Sequence, residues 1–347
     1  MAYTDIDKPT DYFNTVLYPG NTNAQSITGV GFQPDLVWIK YRSDVANHHL
    51  YDVVRGVQKR INANATNAES TSANHLTAFG TDGFTVGTEN DINENGQTYV
   101  SWNWKAGGSA SSNTDGSITS SVSANTTAGF SIVSYTGNGS AGATIGHGLG
   151  VTPAMIIQKI RSSTGNWLVY HHKNTSAPET DFLRLNTTNA TADEVTIFND
   201  TAPTSSVFSV GTENTINGNG VTCIAYCFAE KKGFSKFGSY TGNGNADGTF
   251  IYTGFKPAFV IIKQSSASGN QWNIYDNKRN TSNVMDKFLL ANSNQAEASY
   301  SVIDFVSNGI KLRNTASNFN TSGSTYIYMC FAESPFTTST GIPTTAR

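Results

Sequence analysis

The sequence predicts an all-β chain of three tandem antiparallel β-sandwiches, lectin-like or jelly-roll-like, each about 100 residues long. Three observations carry that prediction. One paragraph of sequence is written three times. Its apolar residues fall in short runs rather than in long stretches of 3.6-residue period. Turn dipeptides separate the runs.

The copies open on Tyr18-Pro19-Gly20-Asn21, Tyr135-Thr136-Gly137-Asn138 and Tyr240-Thr241-Gly242-Asn243. Each continues through a Gly-x-x-Pro turn into an apolar run: Leu36 to Lys40, Met155 to Lys159 and Phe259 to Lys263. Such runs are short enough for strands buried on both faces, and the proline precedes each run, where a missing N–H does least harm. The leading prolines Pro34, Pro153 and Pro257 lie 119 and then 104 positions apart, a period suited to small domains rather than to a solenoid. Asp82-Gly83 and Asn308-Gly309 mark hairpins. Asn95-Gly96, Asn219-Gly220 and Ser322-Gly323 mark a turn before the closing strand of each copy.

On the closing strands, Val100, Trp102 and Trp104 match Ile224, Tyr226 and Phe228, and Ile327, Met329 and Phe331. At a period of two these residues share one face, which predicts one dry face and, opposite it, a mixed and half-covered one. Apolar residues at 50, 53, 54, 57 and 61 predict a short helix between Leu50 and Ile61. The resulting units are 1–109, 110–234 with a linker strand, 235–336, and a polar C-terminal arm over 337–347. The Ser/Thr/Asn/Gly-rich stretch 107–128 predicts a flexible first joint holding one strand around Ile118 and Val122. The short second joint, Lys231 to Phe234, predicts that copies two and three pack as a rigid pair.

Composition narrows the function. Charged residues are 14% and net charge is −3 with no basic cluster, which argues against nucleic acid and anionic membrane as partners. No run reaches the ~18–20 apolar residues of a membrane span, and the start lacks the pattern of a secretory signal. Cys223 and Cys227 lie four apart on a predicted strand, about 13 Å, so they neither bridge nor share a metal locally. With Cys330 they read as buried free thiols.

Few motifs carry chemistry. Glu89-Asn90-Asp91-Ile92-Asn93-Glu94 has the spacing of a glycosidase carboxylate pair. The second copy, Glu213 to Gly218, keeps the turn and loses two of the three carboxylates, which favours a solvated loop. Asp91, Asn93 and Asn95 also resemble the first half of a calcium loop, but Trp102 stands where the closing Glu belongs. His48-His49 and His171-His172 are neighbours on strands and read as surface or loop residues rather than as chelating pairs. No catalytic, cofactor or metal residue is assigned. Trp167, Tyr170, Trp272 and Tyr275 follow polar Gly-Asn turns and are the candidates for an exposed glycan or partner platform. Lys40, Lys159 and Lys263 end the apolar run of every copy, and their repetition predicts a structural role.

The runs Gly129 to Gly139, Gly146-His147-Gly148-Leu149-Gly150, Trp167 to His171, Lys236 to Gly244 and Tyr326 to Phe336 together resemble repeats in virion structural and tail-fibre-like proteins of tailed bacteriophages, especially marine ones. The resemblance spans nearly the whole chain. It implies a concanavalin-like or related sandwich displayed on a virion and supplies no catalytic residue. The expected function is therefore a non-enzymatic fibre or appendage subunit, without cofactor, that touches host surface polysaccharide. Its expected partners are other virion proteins and itself, as a trimer; it would be assembled in the host cytoplasm and carried outside on the particle. A capsid decoration or cement protein is the alternative, and a polysaccharide depolymerase using Glu89 and Glu94 the third reading.

Overall fold

The computed structural model describes residues 3–344. The chain is all-β: its ladders are antiparallel, and the α-helices among the described residues are single turns such as Asn90–Asn93 and Asn214–Asn217. Each copy builds its main sheet in one order. The opening strand pairs with the closing strand, the closing strand with the apolar run, and that run with a fourth strand. In copy one these are Phe13–Pro19, Thr98–Trp104, Leu36–Tyr41 and His49–Asp52. Copy two uses Phe130–Thr136, Thr222–Phe228, Met155–Ile160 and Leu168–His171. Copy three uses Ser235–Thr241, Thr325–Pro335, Phe255–Gln264 and Asn273–Asp276. A smaller sheet covers one face in copies one and two, Gln25–Thr28 with Gly83–Val86 and Leu76–Gly80, and Ala143–Gly146 with Val207–Val210. In copy three the cover is continuous with the main sheet, which curls through Met285–Leu290 and Ala298–Val306 into a single eight-stranded sheet.

Both faces of the closing strands are dry, where the sequence predicts one to be half-covered. The mixed face turns to its own cover: Tyr99 joins a copy-one core, Cys223, Ala225 and Cys227 a copy-two core, and Tyr326, Tyr328 and Cys330 a copy-three core. The fully apolar face has a different destination. Trp102 and Trp104, Ile224, Tyr226 and Phe228, and Ile327, Met329 and Phe331 all enter one further core shared by the three copies.

The rings at equivalent closing-strand positions meet at its centre. Trp104, Phe228 and Phe331 form a triangle, with ring centroids 6.4 Å (Trp104–Phe228), 5.8 Å (Trp104–Phe331) and 6.1 Å (Phe228–Phe331) apart. Mutual contact of three equivalent residues describes an approximate threefold arrangement of the copies. Each buried ring of this size contributes about 1.5–3 kcal/mol from leaving water.

The copies close a ring around that centre through backbone hydrogen bonds that repeat at every junction. Gly165 N donates to Thr66 O (2.9 Å) and Glu69 N to Arg161 O (2.9 Å) between copies two and one. Gly269 N to Thr188 O (3.0 Å) and Thr191 N to Ser265 O (2.9 Å) join copies three and two. Ala46 N to Asn294 O (3.0 Å) and Glu297 N to Arg42 O (2.8 Å) join copies one and three. The first and last copies are thus joined as the others are, and copies two and three form no privileged pair.

Three local expectations are corrected. The stretch from Leu50 to Ile61 is a strand pair, His49–Asp52 with Lys59–Asn62, and Leu50 lies opposite Ile61. Their helix-like spacing arises because the chain reverses between them. Asp52 Oδ1 accepts from the backbone of Val54 (3.1 Å) and Arg55 (2.8 Å), and Gly56 (φ 90°) and Gln58 (φ 67°) turn it. The first joint is ordered: Ser111–Asn113 and Ser120–Asn125 extend the copy-two sheet, while Ile118 and Val122 reach its core. The tail is no free arm as far as Thr344. Thr337 bridges to Pro343, and Ser339 N donates to Asp7 Oδ1 at 2.6 Å. The part of that arm over 345–347 lies outside the described residues.

Candidate functional site

The repeated polar motifs are accounted for by folding. The Tyr of each opening motif donates its hydroxyl to a carbonyl before the closing turn: Tyr18 to Ile92 O (2.9 Å), Tyr135 to Ile216 O (2.8 Å) and Tyr240 to Phe319 O (2.8 Å). The Asn backbone N–H of each motif meets a fully buried amide: Asn21 to Asn93 Oδ1 (3.0 Å), Asn138 to Asn217 Oδ1 (3.0 Å) and Asn243 to Asn320 Oδ1 (2.9 Å). The same amides donate to Gly87 O (2.7 Å), Gly211 O (2.6 Å) and Asn314 O (2.9 Å), which fastens two loops to one side chain. The motif Gly is required by close approach: a Cβ on Gly20 would lie 2.1 Å from Glu94 O and on Gly242 2.3 Å from Thr321 O.

The junctions hold a second set of polar groups. Arg42 forks onto Glu297, both bonds 2.9 Å, and Arg161 onto Glu69 at 3.0 and 3.1 Å. At the third junction neutral groups stand in: Ala190 N donates to Ser268 Oγ at 2.9 Å. Lys159 Nζ donates to Thr66 O (2.9 Å) and Gly165 O (2.7 Å), and Lys263 Nζ to Asn270 O (2.9 Å) and Thr188 O (3.3 Å). Burial pushes the ammonium groups of Lys40, Lys159 and Lys263 down to about 8. The three lysines hold carbonyls at the ring junctions and strand ends, as repetition implies for a structural group.

The aromatic platform expected from sequence is not a surface. Trp167, Tyr170, Trp272 and Tyr275 are buried, between 0 and 4% exposed. Trp167 Nε1 donates to Asn62 O of copy one (2.8 Å) and Trp272 Nε1 to Arg184 O of copy two (3.0 Å). Tyr170 and Tyr275 belong to the private cores of their copies. The Gly-Asn turns before the indoles lie at the ring junctions, so the polar context that suggested exposure is a contact between copies.

The histidines are likewise internal. His48 occupies in copy one the place of Trp167 and Trp272; it accepts from Trp38 Nε1 at 2.8 Å and lies against the Leu290 backbone of copy three. His171 Nε2 approaches Tyr328 O (3.2 Å) and His172 Nε2 Phe237 O (2.8 Å), tying copy two to copy three. Burial holds His171 down at about 3 and His75 at about 4. The surface reading of the two pairs is therefore replaced by a packing role.

Glu89 and Glu94 flank the turn Asn90–Asn93 and face different partners. Glu89 approaches His75 at 3.5 Å, while Glu94 accepts from the Tyr41 hydroxyl at 2.8 Å. Asp91 lies 3.5 Å from His49 and 3.9 Å from Arg60, and the Asn93 amide is spent on the latch. Among the described residues no group of three or more His, Cys, Asp or Glu side chains has metal-holding geometry. Cys223, Cys227 and Cys330 are buried free thiols.

One of the spaces open to a ligand lies where the threefold repeat breaks. A cleft of about 600 Å³ forms beside the joint between copies two and three, where the N-terminal segment and the start of the tail converge. Its wall includes Tyr3, Tyr252 and Phe336 together with Asp5, Glu230 and Lys236. A smaller recess of about 390 Å³ shares Asp5 and Glu230 and extends along Val151 to Ala154. Sequence reasoning did not single out these residues because Tyr3 precedes the first shared motif, Phe336 is the last residue of the third unit and Tyr252 has no aromatic counterpart.

One family model runs through residues 8–335, across all three copies. The chain belongs to that family, described as Domain of unknown function (DUF7483). Neither the curated proteins nor the solved structures contain a match to it. The extent of the DUF7483 match coincides with the closed ring, leaving the first residues and the tail beyond Pro335 outside it. No helix among the described residues is long and apolar enough to cross a membrane.

Proposed function

We propose that the chain is a non-enzymatic structural component of a virion, a fibre or appendage subunit whose outward loops touch host surface glycans. The observation that carries this reading is the fate of the shared positions. The latch asparagines, the junction lysines and the axial rings are all spent on holding the body together. Copy-specific loops and the cleft beside the joint are left to make contact. The resemblance of the repeats to virion proteins supplies the setting, with assembly in the host cytoplasm and display outside on the particle.

The ring changes what a trimer would mean. One chain already contains a threefold body, and its junction edges are paired internally. A fibre built from three chains would associate through other surfaces. A decoration protein is the second reading, favoured by the same observation, because a single chain of this shape matches a threefold position on a shell.

Locating the chain in an intact particle tests both. Density on the tail or an appendage supports the first reading, density on the shell the second. Absence from purified particles contradicts both.

A further inference from the structure

We propose that the cleft beside the joint between copies two and three is a binding site for a neutral pyranose oligosaccharide, with Tyr252, Phe336 and Tyr3 as stacking rings. The inference rests on the reading of the chain as one that touches surface saccharide, and it names the place.

Large aromatic rings are buried almost everywhere else in this molecule, whereas these three are exposed by 62, 42 and 61%. They share one cleft of about 600 Å³, a size suited to a few sugar rings. Each ring is carried on fixed backbone. Phe336 N donates to Gly254 O at 3.4 Å, two residues from Tyr252. Asp5, two residues from Tyr3, is held to Lys232 by one backbone bond, Asp5 N to Lys232 O at 2.9 Å, and by one to its carboxylate, Lys232 N to Asp5 Oδ2 at 3.0 Å. Glu230 is oriented by Phe237 N (3.0 Å) and Lys236 Nζ (3.0 Å).

Aromatic faces pack against the C–H faces of pyranose rings, and carboxylates accept from their hydroxyls; each carboxylate has about four acceptor sites, so both acids keep capacity. Asp5 and Glu230 balance Lys232 and Lys236 around the cleft, so its charge selects no ionic sugar. The aromatic wall is not dictated by the repeat: counted back from the shared glycine, Gly29 and Gly148 stand where Tyr252 does, while Glu230 has its counterpart in Glu333 of copy three and is replaced by Ala106 in copy one.

The test is calorimetric titration of the full chain with neutral hexose tetrasaccharides of α and β linkage and with a tetragalacturonate. A neutral tetrasaccharide is expected to bind, and Tyr252→Ala and Phe336→Ala are each expected to weaken it by about tenfold through loss of one stacked ring. Tyr300→Ala, at a half-exposed ring elsewhere on copy three, is expected to leave binding unchanged. Binding that ignores both substitutions overturns the site while leaving glycan contact elsewhere on the chain. Binding of the uronate alone overturns the neutral specificity. No binding of any probe overturns the site and the glycan contact together, but not the virion placement, which particle density decides separately.

Discussion

Trp167 of copy two donates its indole N–H to the Asn62 carbonyl of copy one at 2.8 Å, and the bond recurs one copy further on between Trp272 and Arg184. An indole fully buried against a neighbour is a structural joint. Trp167→Ala should lower stability by about 3–5 kcal/mol, the cost of truncating a large core ring. Trp167→Phe should recover most of that and leave about 1–3 kcal/mol for the orphaned carbonyl. Denaturant titration of the two variants measures both.

Asp276 and Arg279 form a buried pair inside copy three, and the same carboxylate accepts from Trp102 Nε1 of copy one at 3.0 Å. Asp276→Ala would strand the guanidinium without its counter-charge. The expected loss is about 3–5 kcal/mol. Tyr226→Phe, which removes the 2.8 Å bond from Tyr226 to Asp52 at the matching place and the longer 3.5 Å bond it accepts from Arg55 Nη2, should cost about 1.5–3 kcal/mol. Thermal unfolding of each variant orders the two effects.

Asn217 fastens two loops of copy two through one buried amide, accepting from Asn138 N and donating to Gly211 O and Ser140 O. Asn217→Ala leaves these groups unpaired, and Asn217→Asp keeps the acceptor but loses both donated bonds. Both should destabilise by at least about 2 kcal/mol, with hydrogen exchange rising first in the 138–142 and 211–221 loops.

All six histidines have pKa values below the ordinary 6.5, each first through burial. The unfolded chain therefore binds more protons than the folded one as pH falls through 6.5, and stability must drop with it. The midpoint of thermal unfolding should fall steadily from pH 7 to pH 5, before most carboxylates titrate. His171→Gln should shallow that slope. A midpoint flat across this window would contradict the buried placement of the histidines.

Much of the fold was legible in the chain. The all-β class and a strand order shared by the three copies followed from the repeat, and strand period placed Val100, Trp102 and Trp104 together with their counterparts on one face. The destination of that face was not legible. A strand pattern reports that a face is dry but not whether its own cover or a sister copy dries it. The same ambiguity misplaced Trp167 and Trp272, since a polar turn beside an indole looks alike at a surface and at a junction. Leu50 and Ile61 read as helix because a tight reversal brings residues eleven apart face to face. Tyr3 and Tyr252 were invisible for the opposite reason: a repeat pattern says nothing of residues that have no counterpart in the other copies.

Calorimetry of the full chain tests most directly that the copies share one core. A single ring should unfold in one step, with the van 't Hoff enthalpy about equal to the calorimetric enthalpy. Three units that fold independently would give a ratio of about one third, or three resolved transitions, and would contradict the shared core around Trp104, Phe228 and Phe331.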